Sequence, residues 1–317
     1  MKQKSSANKL IKEYGIIFVL IFVMGFFGVM KPEFLTVSNF FTIMKQTSVV
    51  AICGVGMLLV LITGGINLSV GFVISTTGML SAIFMVWTGM PTIVAMLLVT
   101  VIMLLVGALE GVIIAYANVA PFIATLAFMN ILKGFSFLIT GGRSVADLPD
   151  SFTWLGTGNI GVIPVPFILM LVALLMSFII LKKLYFGRYF FAIGSNEEAA
   201  RLAGINVKSV KVMTYVLSSF FAAFAGFVML ARVKTASPTT GTGYETDVIM
   251  ACVLGGVSMA GGYGKTYQVF IGSVLIAVLN NGLIMMQVSE YFQVILKGMI
   301  LLAAVVYDSM QKNKKIA

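Results

Sequence analysis

Long apolar runs, each close to the length of a membrane span, follow one another through most of this chain. A transmembrane helix needs about 20 mainly apolar residues. Hydrophobic residues make up 60% of the 317 residues and charged residues 10%, and the mean hydropathy is +1.06, which no water-soluble domain of this size would show. We predict an all-α polytopic membrane protein, a single transmembrane domain over residues 1–317 with about ten transmembrane helices. The predicted spans are 14–30, 48–64, 69–88, 91–117, 121–140, 163–182, 210–231, 247–262, 267–286 and 291–307.

The formal net charge of +10 is concentrated in three polar regions. Cations precede the first apolar run, crowd the loop 183–209 and close the chain. Because Lys and Arg are enriched in cytoplasmic loops of membrane proteins, these regions are predicted to lie on the cytoplasmic side, and no nucleic-acid partner is indicated. Both termini are therefore predicted to be cytoplasmic. The loops predicted to lie outside are 31–47, 141–162 and 232–246, and they contain four of the 11 acidic residues.

Residues 187–205 form a polar, cationic stretch between two apolar runs. Ser195 and Glu198 have the spacing of a capping box, and Gly204 stands where a left-handed helix stop is expected. These signals predict a short helix near 196–203. Such a helix either docks into a groove of another protein or is an ordinary helical loop. The small apolar knob on one side of it would consist of Ala199, Leu202 and Ala203.

Groups that could support catalysis or ion coupling are scarce. The sequence has no histidine, and the ionisable residues of the predicted membrane interior are Glu110, Lys133 and Lys297. Because each lies near a predicted span end, we interpret them as interfacial charges. Lys265 belongs to a Gly-Lys-Thr sequence, but a phosphate-binding loop needs Gly at the position of Met259. We expect no enzyme activity, no cofactor and no metal, and an external energy source for any transport.

Four polar side chains beside or within the apolar runs are candidates for a translocation path: Asn67, Ser69, Asn280 and Asn281. A side-chain amide facing hydrocarbon loses its water partners at a cost of several kcal/mol, so these residues are predicted to face protein or an aqueous cavity. The Gly pair before Asn67 recurs at 255–256, and helix breaks repeated in two halves point to such a path. Hydrogen bonding between packed helices is the alternative.

Six short sequences together resemble the permease subunits of bacterial monosaccharide ABC importers, above all the ribose type. The likeness covers about residues 14–308. The family usually has Asp where this chain has Asn67, and Asn can make similar hydrogen bonds without charge. The six sequences are Phe122-Ile-Ala-Thr-Leu126, Thr140-Gly-Gly-Arg143, the run from Gly194 to Val207, Gly241-Thr-Gly-Tyr-Glu245, Val253-Leu-Gly-Gly256 and Leu279-Asn-Asn-Gly-Leu283.

The resemblance implies a type II ABC importer-like permease that works as a homodimer in the bacterial plasma membrane. It also implies a cytoplasmic ATP-binding subunit and an extracytoplasmic sugar-binding protein as partners. In this family the segment at about 195–205 is the coupling helix that seats in the ATPase. The coupling residues that the resemblance implies are Ser195, Glu197, Glu198, Arg201, Leu202 and Gly204.

The sequence therefore predicts the transmembrane permease subunit of an ATP-driven importer for a pentose or related monosaccharide, working by alternating access. A stand-alone secondary sugar carrier is the main alternative, and it would need an ion site. A membrane-embedded enzyme is a third possibility, and it would need a catalytic constellation.

Overall fold

The computed structural model describes the backbone of residues 2–316 and the side chains of residues 16–306. The chain is almost entirely helical in this range. A 3-10 turn at Pro32–Leu35 precedes the second helix, and a π-helical turn at Ile83–Trp87 extends the third. The helices are α1 (Lys2–Met30), α2 (Val37–Ile62), α3 (Val70–Ala82), α4 (Thr92–Tyr116), α5 (Pro121–Leu138), α6 (Asp150–Thr157), α7 (Val165–Lys182), α8 (Tyr185–Ser195), α9 (Glu197–Leu202), α10 (Val207–Val233), α11 (Tyr244–Leu254), α12 (Thr266–Met285) and α13 (Glu290–Ile316).

A short antiparallel hairpin lies between α6 and α7 and is formed by β1 (Asn159–Ile160) and β2 (Ile163–Pro164). Ile160 pairs with Ile163, so Gly161 and Val162 make a two-residue turn. Gly161 has φ +61°, the left-handed conformation that such turns require.

Seven helices within the described residues are long and apolar enough to cross a membrane. They are α2, α3 with its π-helical turn, α4, α5, α7, α10 and α12. This confirms a helical, multi-pass membrane protein, but the predicted number of about ten transmembrane helices is not confirmed. The predicted spans 14–30 and 291–307 lie within α1 and α13, which are not among the seven.

The predicted span 247–262 is corrected by the structure. Its helix, α11, has 11 residues, so it is about 16 Å long, roughly half the thickness of the hydrocarbon core. The helix ends at Leu254 because a pair of glycines follows, and Gly256 has φ +96°. The predicted outer loop 31–47 is also corrected, because α2 already begins at Val37.

α2 and α10 form the centre of the bundle. Every side chain of α2 from Thr47 to Ile62 is buried, and α10 packs against α2, α3 and α4. The contact with α4 is close because Gly107 and Gly111 face α10. A methyl group on Gly107 would lie 2.7 Å from the Tyr215 carbonyl oxygen, and one on Gly111 would lie 2.7 Å from Val212 Cα. This Gly-x-x-x-Gly spacing brings the two backbones together, as in many membrane helix pairs.

The bundle has two ends, which we name by their contacts. At the lower end, where α2 finishes, the Gly262 amide donates to the Ile62 carbonyl oxygen at 2.9 Å. At the upper end, Val145 and Ala236 pair as an antiparallel bridge. The chain therefore passes from the upper end at Ala236, through α11, to the lower end at Gly262.

Two helices begin inside the bundle instead of at its ends. α3 begins after a break that follows α2, and α11 begins after the irregular segment 234–243. Their first turns meet, because the Gly241 amide donates to Ser75 Oγ at 2.7 Å and a methyl group on Gly71 would collide with the Glu245 carboxylate. Interrupted helices of this kind are the membrane-protein form of an internal binding or translocation site.

Candidate functional site

The predicted short helix near 196–203 is confirmed as α9, but its cap differs from the prediction. Asn196 is the N-cap, and its side chain accepts a hydrogen bond from the Ala199 amide at 2.9 Å. Ser195 cannot form the predicted capping box with Glu198 because it is the last residue of α8, a helix that the sequence did not predict. Gly204 has φ +83°, which confirms the predicted left-handed stop.

α9 presents an apolar tip whose neighbouring charges are already paired. Leu202 is 78% exposed, and Ala199 and Ala203 beside it are exposed as well. Arg201 pairs with Glu198 within α9 at 2.6 Å. Lys211 of α10 pairs with Glu197 at 2.7 Å, which ties α9 to the start of that helix. The segment is thus a fixed protrusion, and its unpartnered surface is the small apolar knob.

The segment α8–α9 sits directly on the lower end of the bundle. A methyl group on Gly194 would collide with the Ile62 carbonyl oxygen and would lie 2.5 Å from the Gly262 amide nitrogen. A side chain at Gly262 would meet Ser195 Oγ at 2.8 Å. The segment α8–α9 is therefore in direct contact with the end of α2 and with the turn that follows α11.

Asn67 and Ser69 belong to a buried hydrogen-bonded group, which we call the Asn67 cluster: Asn67, Ser69, Glu110 and Ser218. Asn67 Oδ1 accepts from the Ser69 amide at 2.9 Å and from Ser69 Oγ at 2.7 Å. Asn67 Nδ2 donates to Ser218 Oγ at 3.1 Å and to Glu110 Oε2 at 3.4 Å. The cluster joins the break before α3 to α4 and α10. All its members are enclosed by protein.

Glu110 is not the interfacial charge that the sequence suggested. Its side chain is 0% exposed, and its second oxygen, Oε1, has no hydrogen-bond partner. No Lys or Arg within the described residues forms an ion pair with it. The Gly-x-x-x-Gly spacing of Gly107 and Gly111 was the sequence signal that places Glu110 beside α10. Glu110 of α4 thus places a carboxylate directly beside Asn67.

Asn280 and Asn281 point to different partners. Asn280 Nδ2 donates to Asp247 Oδ2 at 2.9 Å, whereas Asn281 Nδ2 donates to Asn39 Oδ1 at 2.9 Å. Lys297 of α13 lies 2.9 Å from Asp247 Oδ1 and donates to Oδ2 at 3.1 Å. We call Asp247, Asn280 and Lys297 the Asp247 cluster; it ties the first turn of α11 to α12 and α13. Lys297, whose side chain is 21% exposed, is therefore half of a partly buried ion pair, a partner that the sequence did not reveal.

The four candidate path residues do not form one site. Two lie in the Asn67 cluster, one in the Asp247 cluster, and Asn281 bonds to α2. Sequence reasoning missed the partners Ser218, Asp247 and Asn39, because each approaches from a helix distant along the chain. Within the described residues, no group of three His, Cys, Asp or Glu side chains could hold a metal ion.

A multi-pass helical bundle with interrupted helices, buried polar clusters and a protruding helix defines the class of membrane transport proteins. Residues 39–305 match the family described as "Branched-chain amino acid transport system / permease component". The chain belongs to this family. It is a permease and not an enzyme, and ATP hydrolysis lies on a separate subunit.

Individual relatives match almost the whole chain. The ribose import permease protein of Haemophilus influenzae is 40% identical over 301 residues, covering 94% of this chain and 93% of the relative. That of Escherichia coli K12 is 40% identical over 307 residues, covering 96% and 94%. The L-arabinose transport system permease protein of Escherichia coli K12 is 35% identical over 319 residues, covering 99% and 95%. No solved structure matches the chain significantly.

Proposed function

We propose that this chain is the membrane subunit of an ATP-driven importer for ribose or a closely related monosaccharide in a bacterial plasma membrane. Two copies would form the path, a cytoplasmic ATPase would drive it and an extracytoplasmic binding protein would deliver the sugar. The relatives named for ribose and L-arabinose support the substrate class, because they align over more than nine-tenths of the chain. A stand-alone carrier is not favoured, because these relatives are components of transport systems.

We propose a type II importer-like arrangement with ten crossings and both termini in the cytoplasm. The seven apolar helices supply seven crossings. α1 and α13 supply two more, and the segment from Ala236 through α11 to Gly262 supplies the tenth, although only part of it is helical. An even number of crossings agrees with the cationic character of both chain ends.

The observation that carries the coupling role is the exposed apolar tip of α9. Leu202 leaves the bundle while the charges around it are paired, which suits insertion into a groove of another protein. Force on α9 reaches α10 through the Glu197–Lys211 pair. α10 carries Ser218, which bonds to Asn67 at the break before α3. Docking at the lower end is thereby linked to the interior of the bundle.

We propose that the break before α3 and the first turn of α11 border the sugar path when the two copies open. Asn67, Ser69 and Asn280 would then exchange their present hydrogen-bond partners for sugar hydroxyl groups. Asn281, the next residue of α12 after Asn280, would lie near the same path. Amide and hydroxyl side chains bind such hydroxyl groups through permissive hydrogen bonds. The adjacent starts of α3 and α11 support this location.

Uptake of labelled ribose into cells that contain the permease, its ATPase and its binding protein tests the proposal. Uptake should stop when ATP is depleted and continue when only the proton gradient is collapsed. Persistence of uptake without ATP would contradict the ATP-driven mechanism.

The coupling role is tested with Leu202→Asp and Arg201→Glu. A carboxylate buried against a partner costs several kcal/mol, so both variants should lose the ATPase on co-purification while the permease remains in the membrane. Val162→Asp is the matched control, because Val162 is 77% exposed in the hairpin turn of residues 159–164. It should keep the ATPase. Normal co-purification of Leu202→Asp would exclude α9 from the coupling contact.

A further inference from the structure

Three cations lie where α7 ends and α8 begins, and the described part of the chain leaves them without an acidic partner. α7 ends at Lys182, Lys183 follows it, and Arg188 lies near the start of α8. All three side chains are exposed. Within the described residues none of them forms an ion pair. We call Lys182, Lys183 and Arg188 the basic corner.

The acidic residues nearest to the basic corner along the chain are already paired. Glu197 lies 2.7 Å from Lys211, and Glu198 lies 2.6 Å from Arg201. Like charges held near one another repel, and an anion from outside the chain removes this repulsion. The basic corner is therefore a surface that attracts an anionic partner.

The turn between α7 and α8 keeps the cations of the basic corner together. The Lys183 amide donates to the Ile179 carbonyl oxygen at 2.8 Å, so the chain turns at once after α7. A methyl group on Gly187 would collide with the Leu181 carbonyl oxygen, so the start of α8 packs directly on the last turn of α7. Arg188, the next residue, is thereby held near the two lysines.

The basic corner also continues the lipid-facing side of α7. One side of this helix is buried against the bundle and includes Ala173, Ser177 and Leu181. Exposed apolar residues recur on another side every three or four residues, and Lys182 and Lys183 continue that spacing. These exposed apolar residues are Leu171, Leu175, Phe178 and Ile179.

The length of α7 places the basic corner at the level of the lipid headgroups. The helix has 18 residues, so it is about 27 Å long, close to the thickness of the hydrocarbon core. At its lower end the stem of a lysine lies along acyl chains while its ammonium reaches the phosphate layer. Tyr185, which is 52% exposed, lies in the next turn, and Tyr is enriched at this level of a membrane.

We propose that the basic corner binds an anionic phospholipid. Its phosphate lies between Lys182, Lys183 and Arg188, and its acyl chains lie along the exposed apolar side of α7. Clusters of Lys and Arg beside a transmembrane helix recognise anionic headgroups, and a guanidinium can bind a phosphate through two hydrogen bonds. Continuity with the lipid-facing side of α7 favours a lipid over an acidic protein surface. The proposal rests on the membrane location of α7 and on no property of the sugar path.

The lipid would bind at the base of the segment that carries the proposed coupling tip. α8 runs from the basic corner to Ser195, and α9 follows it directly. A phosphate that bridges the end of α7 and the start of α8 holds these two helices together. We therefore expect anionic lipid to stabilise α8.

Titration of the purified permease in an uncharged detergent tests the site without ATPase, binding protein or sugar. The probe is a short-chain phosphatidylglycerol, and a short-chain phosphatidylcholine without net charge is the reference. Lys182→Gln with Lys183→Gln removes two charges, so phosphatidylglycerol should bind about 20- to 30-fold more weakly while phosphatidylcholine binds as before. Added salt should weaken phosphatidylglycerol binding more in the unchanged chain than in this double lysine variant.

Arg143→Gln with Lys234→Gln is the matched control. Both residues are exposed, and both lie at the upper end, close to the bridge between Val145 and Ala236. This variant loses the same two charges and should keep its affinity for phosphatidylglycerol. Equal weakening in the control, or equal affinity of the unchanged chain for the two lipids, would overturn the proposal. Inorganic phosphate that displaces the lipid at equal concentration would overturn it as well.

A second measurement locates the bound lipid. Hydrogen exchange of the α8 backbone amides should slow when phosphatidylglycerol is added to the unchanged chain, but not when it is added to the double lysine variant. Arg188→Gln should weaken binding about fivefold, whereas Arg188→Lys should keep most of it. Unchanged exchange of α8 in the lipid-bound protein would overturn the proposal.

The remaining outcome concerns the partner. A double lysine variant that keeps its lipid affinity but loses the ATPase on co-purification would assign the basic corner to an acidic partner surface and overturn the lipid site. Failure of ATP-driven uptake would refute the proposed function and leave the lipid titration unaffected. The two proposals can therefore fail separately.

Discussion

The Asn67 cluster and the Asp247 cluster each hold one buried carboxylate near the start of an interrupted helix, but they neutralise it differently. Asp247 receives a lysine ammonium at 2.9 Å and an amide at 2.9 Å. Glu110 Oε2 accepts from the Asn67 amide at 3.4 Å with Ser69 beside it, and Oε1 has no partner among the described residues. Each carboxylate thus has one oxygen without a hydrogen bond, but Asp247 has a cation 2.9 Å away and Glu110 has no ion pair among the described residues.

This difference separates a structural role from a functional one. A buried ion pair with an added hydrogen bond holds its helices together, and losing one partner leaves an isolated charge. Burying a carboxylate without a cation destabilises the folded protein. Stability of the fold therefore gives no reason for such a group to be present. We therefore interpret the Asp247 cluster as a structural ion pair that holds α11 in position, and we call it the lock. We interpret the Asn67 cluster as the group whose side chains change hydrogen-bond partners during transport.

The largest effect is expected from breaking the lock. Lys297→Met should lower the free energy of unfolding by about 3–5 kcal/mol, because it leaves Asp247 charged and buried without its cation. The double variant Lys297→Met with Asp247→Asn removes both charges and should recover most of this loss. Folded yield in detergent, followed by thermal unfolding, measures both.

Lys133→Met is the matched control for the lock, since this lysine also lies in a membrane helix but contacts the Phe72 ring and remains exposed. It should change the unfolding free energy by less than about 1 kcal/mol. Equal losses for the two lysine variants would remove the distinction between the clusters.

A smaller effect is expected from moving the carboxylate within the Asn67 cluster. Asn67→Asp places a second carboxylate beside Glu110 and removes its donor, so it should cost about 1–3 kcal/mol. The double variant Asn67→Asp with Glu110→Gln restores one carboxylate and one amide in exchanged positions, and it should recover both folded yield and uptake.

Glu110→Gln alone tests whether the Asn67 cluster serves transport or only stability. Its side-chain oxygen can still accept from Asn67, so folded yield should be kept while uptake falls. A loss of yield in step with uptake would make this cluster structural as well. Strict additivity of the two single changes would show that the residues do not interact.

The residues that sequence reasoning placed correctly are those specified by local chemistry. Gly204 ends α9 because a left-handed stop depends on the residue type alone, and the exposure of Leu202 follows from helix spacing. The apolar runs predicted most spans for the same reason. The pairing of Lys297 with Asp247, 50 residues away, depends on how α11 and α13 pack, and no local pattern encodes it. The prediction of one continuous helix over 247–262 was wrong because the apolar run continues past the glycine pair that ends the helix.

The smallest effect on stability is expected at the surface pair between α9 and α10. Lys211 and Glu197 are partly exposed, so Lys211→Met should change the free energy of unfolding by no more than about 1 kcal/mol. Uptake per folded protein should nevertheless fall well below that of the unchanged chain. The reason is that the Glu197–Lys211 ion pair, which we propose transmits motion from α9 to α10, is lost.

Lys208→Met is the control for this tie, since Lys208 lies on the same turn of α10 but contacts the Tyr116 ring. It should leave uptake unchanged. The exchanged pair Glu197→Lys with Lys211→Glu should restore uptake if the ion pair itself transmits the motion. Uptake that stays low in the exchanged pair, with normal ATPase binding, would assign the transmission to the glycine contacts of Gly194 and Gly262. The surface would then differ from the buried lock, because close backbone packing and not an ion pair would join the elements.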